Sequence, residues 1–305
     1  MTRGESVTMG GNTLSSFTDD AARARFLAAY DRAMALWPDE REERDVPTRF
    51  GTTRVYVHGK GEGTPLVLLH GANATPAVWA SNVAALAEGR TVLAVDRLGE
   101  PGRSVQTAPI RTADAAAAWL EELLAGLGLD RVHLAGQSYG GWLALNQAVR
   151  SPARLASVTL ADPVCALAPL RPGFIIGALA AVASGSENVQ RRYLQRVLGA
   201  WGETGEAAEA LMAVLVEAMR GFRGRLVWPQ RIGDAELRSV SVPVLLLAGG
   251  ESRAADARRA ETRARLLLPD VRAEIVQGAG HAIPVAVLNC QVPAFLRAVE
   301  GEGAP

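Results

Sequence analysis

The sequence has few cysteines, no net charge and almost no lysine. Its 32 Lys and Arg residues balance 32 Asp and Glu residues, and Lys60 is the only lysine. Without a basic excess, the chain lacks the electrostatic footprint for binding nucleic acid or an anionic membrane surface. Two cysteines, Cys165 and Cys290, are too few for a disulfide framework in 305 residues. We therefore expect a reduced, cytoplasmic protein.

No stretch of sequence predicts a membrane anchor, a metal site or a nucleotide site. The longest apolar run, 174–183, is far shorter than the ~18 residues that span a bilayer, and residues 1–6 lack the apolar segment of a signal peptide. There is no H-E-x-x-H motif, and the glycines at 59–63 lead into a strand instead of a helix, so they form no phosphate cradle. We expect a soluble protein without a cofactor or metal.

Short apolar runs alternate with helical stretches along most of the chain. After a half-buried strand at 52–58, apolar runs lie at 65–69, 91–95, 131–135, 156–161, 244–248 and 273–276. Helical patterns lie near 76–87, 112–126, 139–150, 256–267 and 284–299. Apolar strands separated by helices indicate βαβ units in a parallel sheet. The predicted fold class is therefore α/β with an open, doubly wound sheet, in which ligands bind at the carboxyl ends of the strands.

The alternation is interrupted once, between the runs at 156–161 and 244–248. The intervening residues predict three helices instead of strands, at 172–183, 187–198 and 206–219, and the first and third of these are rich in apolar residues. We expect a helical cap over the active site at 164–238, a core at 16–163 and 239–300, and a disordered segment at 1–15. A further predicted helix, at 16–37, either packs on the cap or mediates a homodimer. The apolar cap favours a hydrophobic small molecule as the substrate.

The sequence Gly136-Gln137-Ser138-Tyr139-Gly140 joins the run at 131–135 directly to the next helix. A G-x-S-x-G motif between a strand and a helix is typical of a nucleophile elbow. The turn is so tight that a Cβ at Gly136 or Gly140 would clash with neighbouring backbone. The strain holds Ser138 out of the sheet at the amino end of the helix, whose dipole favours negative charge. Ser138 is the predicted nucleophile.

Two backbone N–H groups are expected to stabilise the oxyanion that forms when a serine attacks a carbonyl. The residue after the nucleophile, Tyr139, supplies one of them. The loop after the run at 65–69 reads His70-Gly71-Ala72-Asn73, and Ala72 is the predicted second donor. We expect His70 to be structural, with its ring bonded to this loop.

The general base is predicted to be His281. It follows the last strand, in Gly278-Ala279-Gly280-His281, where a loop can bring it over the carboxyl edge of the sheet. A serine hydroxyl is a poor nucleophile near neutral pH and needs such a base. His58 and His133 lie in strand patterns and are interpreted as structural.

In this order the motifs resemble the α/β-hydrolase superfamily, in its capped, esterase-like branch, over about residues 50–299. The motifs are His70-Gly71, the segment from Asp96 to Ser104, the elbow at Ser138, and Gly280-His281. The resemblance implies the α/β-hydrolase fold and hydrolysis of an ester, thioester, lactone or amide without a cofactor. Serine at position 138 disfavours the members with an aspartate nucleophile, the epoxide hydrolases and haloalkane dehalogenases.

The family pattern is broken at the acid of the triad. Ser252 stands where the resemblance implies an aspartate, shortly after the run at 244–248. Asp162, directly after the run at 156–161, is the favoured replacement, and Glu251 is the alternative. Asp256 is expected to cap the helix that follows it. Loss of the acid slows catalysis by orders of magnitude. A lyase or cyclase of secondary metabolism, or a binding protein without turnover, therefore remain alternatives to a serine hydrolase with an acyl-enzyme on Ser138.

Overall fold

The structure is a computed structural model that describes residues 14–301. Its strands are β1 (Ser16–Phe17), β2 (Glu42–Thr48), β3 (Gly51–His58), β4 (Gly63–Leu69), β5 (Arg90–Val95), β6 (Val105–Gln106), β7 (Val132–Gln137), β8 (Leu155–Ala161), β9 (Phe222–Arg223), β10 (Val244–Gly249) and β11 (Val271–Val276). Its helices are α1 (Asp20–Met34), α2 (Ala80–Leu86), α3 (Ala113–Gly126), α4 (Tyr139–Arg150), α5 (Pro172–Ala183), α6 (Glu187–Leu198), α7 (Gly205–Gly221), α8 (Asp234–Arg238), α9 (Ala257–Leu267) and α10 (Val285–Glu300).

The main sheet is mostly parallel. Its strands lie in the order β11-β10-β8-β7-β4-β5-β3-β2, and β6 pairs with β3. The six strands from β11 to β5 pair in parallel, whereas β3 pairs antiparallel with β5, β2 and β6. The predicted α/β class with a mostly parallel sheet is confirmed.

Alternate residues of the central strands pack into two separate cores, one on each face of the sheet. In β4, Val67 and Leu69 pack with α3, α4 and α9, while Leu66 and Leu68 pack with α1, α2 and α10. Because successive side chains in a strand point to opposite faces, a strand covered on both sides is mostly apolar along its length. Because helices cover both faces of the sheet, the loops of the site lie at one edge, where β4, β7, β8, β10 and β11 have their carboxyl ends.

The chain between β8 and β10 contains the three predicted helices, α5, α6 and α7. They share a small apolar core of their own, in which Leu194, Met212 and Leu215 are buried with Ala74 of the main body. The flanks of the predicted cap, including 166–168 and 237, pack instead in the core below one face of the sheet. Within residues 14–301, no helix is both long and apolar enough to cross a membrane.

The predicted N-terminal helix is shorter than 16–37. Residues 16 and 17 form β1, which pairs with β9, and the helix begins at Asp20 because the Asp19 side chain accepts a hydrogen bond from Ala22 N. The buried face of α1 packs against α7. Disorder was predicted for residues 1–15, of which 1–13 lie outside the described residues. Ser15 is described, and its hydroxyl accepts a hydrogen bond from Arg225 N.

Strand β2 was not anticipated from the sequence. It lies at the edge of the sheet, and of its seven residues only Val46 is buried. Its charged residues pair across to β3, where Arg54 contacts both Asp45 and Glu43. Charged residues and a proline are common in edge strands because these discourage pairing with another chain. Because a polar edge strand has no alternation of apolar residues, the apolar pattern of the sequence did not predict β2.

Candidate active site

Ser138 occupies the sharp turn between β7 and α4. Its backbone has φ 55° and ψ −115°, in the left-handed region that is strained for a residue with a Cβ. The two glycines of the motif permit this turn. A Cβ at Gly136 would lie 2.1 Å from Gly140 O, and a Cβ at Gly140 would lie 2.2 Å from Leu69 O. The side chain of Ser138 is thereby held outside the sheet in a half-buried position.

His281 reaches Ser138 from the loop after β11. Its Nε2 lies 2.8 Å from Ser138 Oγ. The loop is held from the other side by the end of α6, because His281 N donates to Val197 O (3.0 Å) and Ala282 N donates to Leu198 O (3.2 Å). The inserted helices therefore bond directly to the backbone that carries the histidine.

Asp162 contacts the other ring nitrogen of His281. It follows β8 directly, in a left-handed conformation with φ 43°, and its Oδ2 lies 2.6 Å from His281 Nδ1. The same carboxylate accepts hydrogen bonds from Gly249 N (3.0 Å) and from Ser252 Oγ (2.6 Å). Asp162 and His281 are buried, with exposed fractions of 4% and 6%. The structure thus brings together the three residues that were predicted as nucleophile, base and favoured acid.

The hydrogen bonds determine which ring nitrogen of His281 carries the proton. An ionised carboxylate only accepts hydrogen bonds, so Nδ1 must donate to Asp162. In the neutral imidazole, Nε2 is then an acceptor for the hydroxyl of Ser138. This tautomer is the one that allows His281 to remove a proton from Ser138.

The other carboxylates that were considered for the acid lie elsewhere. Glu251 is exposed to solvent. Asp256 caps α9, where its side chain accepts a hydrogen bond from Arg259 N at 3.0 Å. Within residues 14–301, no group of three or more His, Cys, Asp or Glu side chains is arranged to hold a metal ion.

Sequence reasoning missed the role of Ser252. The residue was interpreted only as a departure from the family pattern, whereas in the structure it donates a hydrogen bond to Asp162 from the loop after the neighbouring strand, β10. A carboxylate after one strand and a hydroxyl after the next could have suggested the contact. Their adjacency in the sheet, however, is not visible in a sequence that separates them by 90 residues.

The loop predicted to contribute to the oxyanion hole lies beside Ser138. A Cβ at Gly71 would be 3.7 Å from Ser138 Oγ, and the following residue, Ala72, is exposed. Tyr139 is the first residue of α4, so its backbone N–H has no acceptor within the helix. The two predicted donors are therefore carried by two segments that both adjoin Ser138.

His70 uses both ring nitrogens to hold this loop. Its Nδ1 lies 2.8 Å from Gly71 O, and Arg97 N donates to its Nε2 at 3.3 Å. Complete burial, together with the charge of Arg97, lowers the pKa of His70 well below its usual range. The ring is therefore neutral, with its proton on Nδ1.

An apolar helix of the insertion also reaches the site. Phe174 of α5 packs edge-on against the ring of His281, with centroids 5.6 Å apart, and Tyr193 of α6 donates a hydrogen bond to Phe174 O at 3.1 Å. On the other side of α5, Ile176 and Leu179 are exposed. The base is thus partly shielded from water by an apolar segment.

A family model matches most of the sheet and all of the predicted site. The model of the alpha/beta hydrolase family covers residues 66–288. The chain belongs to the alpha/beta hydrolase family. The fold, the superfamily and the hydrolase class that were predicted from the sequence motifs are therefore confirmed.

Similarity to individual members of the alpha/beta hydrolase family extends over nearly the whole chain. Carboxylesterase YbfK of Bacillus subtilis (strain 168) is 32% identical over 279 residues, which are 89% of this chain and 93% of that protein. The uncharacterized carboxylesterase nap of the same organism is 29% identical over 294 residues, 91% of this chain and 94% of that protein.

Solved structures of the family show the same architecture. The crystal structure of carboxylesterase CesB (YbfK) from Bacillus subtilis matches with a TM-score of 0.80 at 30% identity, over 92% of this chain and 98% of that chain. The naproxen esterase (carboxylesterase NP) from Bacillus subtilis matches with a TM-score of 0.79 at 27% identity, over 92% and 98% of the two chains.

Proposed function

We propose that this alpha/beta hydrolase is a serine carboxylesterase that cleaves an ester of a hydrophobic small molecule through an acyl-enzyme on Ser138. The observation that carries the proposal is the unbroken chain of hydrogen bonds from Asp162 through His281 to Ser138, with contacts of 2.6 and 2.8 Å. This chain of hydrogen bonds ends at the hydroxyl of Ser138, which is half-buried and belongs to a residue with a strained backbone. Both relatives described above are named carboxylesterases.

In the first half-reaction, Ser138 Oγ attacks the ester carbonyl while its proton passes to His281 Nε2. Asp162 stabilises the imidazolium that forms, and the hydrogen bond to Nδ1 keeps the ring in place. The backbone N–H groups of Ala72 and Tyr139 stabilise the charge on the carbonyl oxygen, each contributing up to ~3 kcal/mol. His281 then gives its proton to the leaving alkoxide, which departs as an alcohol and leaves the acyl group on Ser138.

In the second half-reaction, water takes the place of the alcohol. His281 removes a proton from the water, which attacks the acyl carbonyl, and the same N–H groups stabilise the second oxyanion. When the tetrahedral intermediate collapses, the proton returns from Nε2 to Ser138 Oγ and a carboxylic acid is released. Both half-reactions balance with the ester, water and the residues of the protein alone.

A hydrophobic substrate is supported by the segment that lies over the base. From Pro172 to Ala183 the insertion has no charged residue, and Phe174 contacts His281. Apolar walls with a few placed polar groups are typical of small-molecule sites. Thioesters and lactones react by the same two steps and are included in the proposal as further substrates.

The remaining predictions stay predictions. A cytoplasmic location is consistent with both cysteines being free, and neither a small-molecule partner nor a homodimer is tested by the structure. The packing of α1 against α7 covers the apolar face of α1 within the monomer. A lyase or cyclase of secondary metabolism, or a binding protein without turnover, would each act without an acyl-enzyme on Ser138.

The test is the intact mass of the protein after exposure to a fluorophosphonate, followed by a panel of esters, thioesters and lactones. The wild type should gain one adduct, and Ser138→Ala should gain none. Glu251→Gln, which changes an exposed carboxylate that lies next to Ser252 but takes no part in the hydrogen-bond chain, should label like the wild type. A folded wild type that gains no adduct would contradict the proposal and favour the non-hydrolytic and binding alternatives.

A further inference from the structure

A buried ion pair contacts the loop 70–73, which carries the predicted oxyanion donor Ala72. Arg97 and Glu100 follow β5, and Arg97 Nη2 lies 2.6 Å from Glu100 Oε1. Both side chains are 1% exposed. Charges taken out of water at such a site are costly, and a buried pair is often no more stabilising than apolar residues of similar volume. Stability alone therefore does not account for charges at these positions.

The pair holds the residues on either side of Ala72. Arg97 Nη2 donates a hydrogen bond to Gly71 O at 3.2 Å, and Glu100 Oε2 accepts one from Asn73 N at 3.0 Å. Asn73 has φ 58°, in the left-handed region. With one neighbour held through its carbonyl and the other through its N–H, the orientation of the peptide groups around Ala72 is restricted.

The same arginine contacts the residue that carries the second donor. Arg97 Cζ lies 4.6 Å from the centroid of the Tyr139 ring, in a cation–π geometry. The Tyr139 hydroxyl in turn donates to Val227 O at 2.8 Å, which fixes the far end of the ring. One side chain thus touches both segments that provide the predicted oxyanion donors.

We propose that Arg97 and Glu100 are positioning residues for the oxyanion hole, which set the N–H groups of Ala72 and Tyr139 at their working distance. The inference rests on the proposed function and adds to it the residues that orient the donors. Donors aimed in advance at the developing charge need no reorganisation during the reaction, and a displacement of about 1 Å costs up to 10²-fold in rate. Neither residue touches the substrate in this scheme.

The decisive variant is Arg97→Met combined with Glu100→Met. Replacing both charges avoids an unpaired buried charge, so the variant is expected to fold. With both contacts to the loop removed, kcat should fall roughly 10- to 100-fold with KM changed little, less than the 10²–10³ that loss of a whole donor costs. The rate of fluorophosphonate labelling of Ser138 should fall with it, because the phosphoryl oxygen occupies the same hole.

A matched control is available at the opposite end of the sheet. Arg90 and Glu300 form another shielded ion pair, with a 2.9 Å contact and side-chain exposures of 6% and 14%. Arg90→Met combined with Glu300→Met removes the same charges far from Ser138, and should leave kcat and the labelling rate within about twofold of the wild type.

A second readout separates positioning from general damage. A thionoester places sulfur, a weak hydrogen-bond acceptor, in the oxyanion hole, so its hydrolysis depends less on the donors. The ratio of ester to thionoester rates should therefore fall about tenfold in the Arg97→Met/Glu100→Met variant. Unchanged kcat and labelling in the folded variant, or equal losses on both substrates, would overturn the inference. Failure of the proposed function would appear instead as a wild type that does not label.

Discussion

Two sets of Ser, His and a carboxylate lie at opposite ends of the same two strands. At the carboxyl ends, Ser138 follows β7 and Asp162 follows β8, and His281 joins them. Near the amino ends, His133 of β7 lies 2.7 Å from Ser157 Oγ of β8, and 3.1 Å from Glu300 Oε1 at the end of α10. Both sets place a histidine between a serine and a carboxylate, with an aspartate in the first set and a glutamate in the second.

The two sets differ in access, backbone and surroundings. Ser138 is half-buried in a strained turn beside the loop of Ala72, whereas Ser157 is fully buried within a strand. The carboxylates differ as well. Glu300 makes two hydrogen bonds with Arg90, each of 2.9 Å, and serves to tie α10 to the sheet. We therefore expect Ser138 but not Ser157 to act as a nucleophile, because a nucleophilic serine also needs an accessible hydroxyl and a place for the oxyanion.

Replacing each serine in turn tests whether the two sets differ in function. Ser138→Ala should lower kcat by about 10⁴-fold or more, because both half-reactions pass through its oxygen. Ser157→Ala should leave kcat within about twofold and cost ~1 kcal/mol of unfolding free energy, since His133 loses a hydrogen-bond partner. Steady-state ester hydrolysis and urea denaturation of both variants measure these effects. A large loss of activity in Ser157→Ala would show that the two sets are not separate in function.

The acids provide the next test. Asp162→Asn should lower kcat about 10³- to 10⁴-fold, because an amide no longer stabilises the imidazolium and favours the wrong tautomer. Glu300→Gln should keep the wild-type kcat but lower the melting temperature, as Arg90 loses its ionised partner. Glu251→Gln is the control for a neighbouring exposed carboxylate. If Glu251→Gln lost activity and Asp162→Asn did not, the alternative acid would be the correct one.

Exchanging two residues tests whether the acid can be supplied from either strand. Ser252 Oγ lies 2.6 Å from Asp162 Oδ2, so a carboxylate at position 252 approaches His281 from the position that the family resemblance implies. Asp162→Ser combined with Ser252→Asp should recover at least about tenfold in kcat over Asp162→Ser alone. The comparison uses the same ester substrate and proteins of matched stability. No recovery would mean that the backbone at Asp162, and not only its charge, is required.

The smallest expected effect is on the pH dependence of stability. Burial alone would raise the pKa of Glu300, but the hydrogen bonds from Arg90 and His133 lower it to about 2, below its usual 4.5. Burial lowers the pKa of His133, although Glu300 opposes this. A carboxylate with a lowered pKa stabilises the fold fully above pH 4.5, and this stabilisation is lost as the pH falls toward 2. Protonation of His133 below about pH 6.5 is disfavoured in the folded state, which acts in the same direction.

Denaturation of the wild type and of Glu300→Gln at a series of pH values measures this contribution. The difference in unfolding free energy between the two proteins should be largest near pH 7 and shrink as the pH falls through 4.5 toward 2. A difference that stays constant with pH would show that Glu300 acts by packing and not by charge. The activity near neutral pH should be the same in both proteins.

Much of the fold could be predicted from the sequence because its signals are local. The helices α5 and α6 have the predicted bounds, Pro172–Ala183 and Glu187–Leu198, since each is set off by prolines, glycines and serines in the chain itself. Strand β2 could not be predicted, since pairing at a polar sheet edge depends on Arg54 of another strand. The start of α1 shifted from 16 to 20 for a similar reason, because β1 exists only through its pairing with β9.

Ser138 and His281 could be predicted as nucleophile and base because both predictions rest on contiguous residues, namely a glycine-flanked turn between a strand and a helix, and a histidine after the last strand. Which of Asp162, Glu251 and Asp256 contacts His281 is visible only in the tertiary structure, because the order of strands in the sheet places Asp162 beside the ring. The same applies to Ser252 beside Asp162, and to Arg97 and Glu100 behind Ala72. Contacts between side chains that are far apart in the sequence arise from how the strands are arranged, and no local pattern encodes that arrangement.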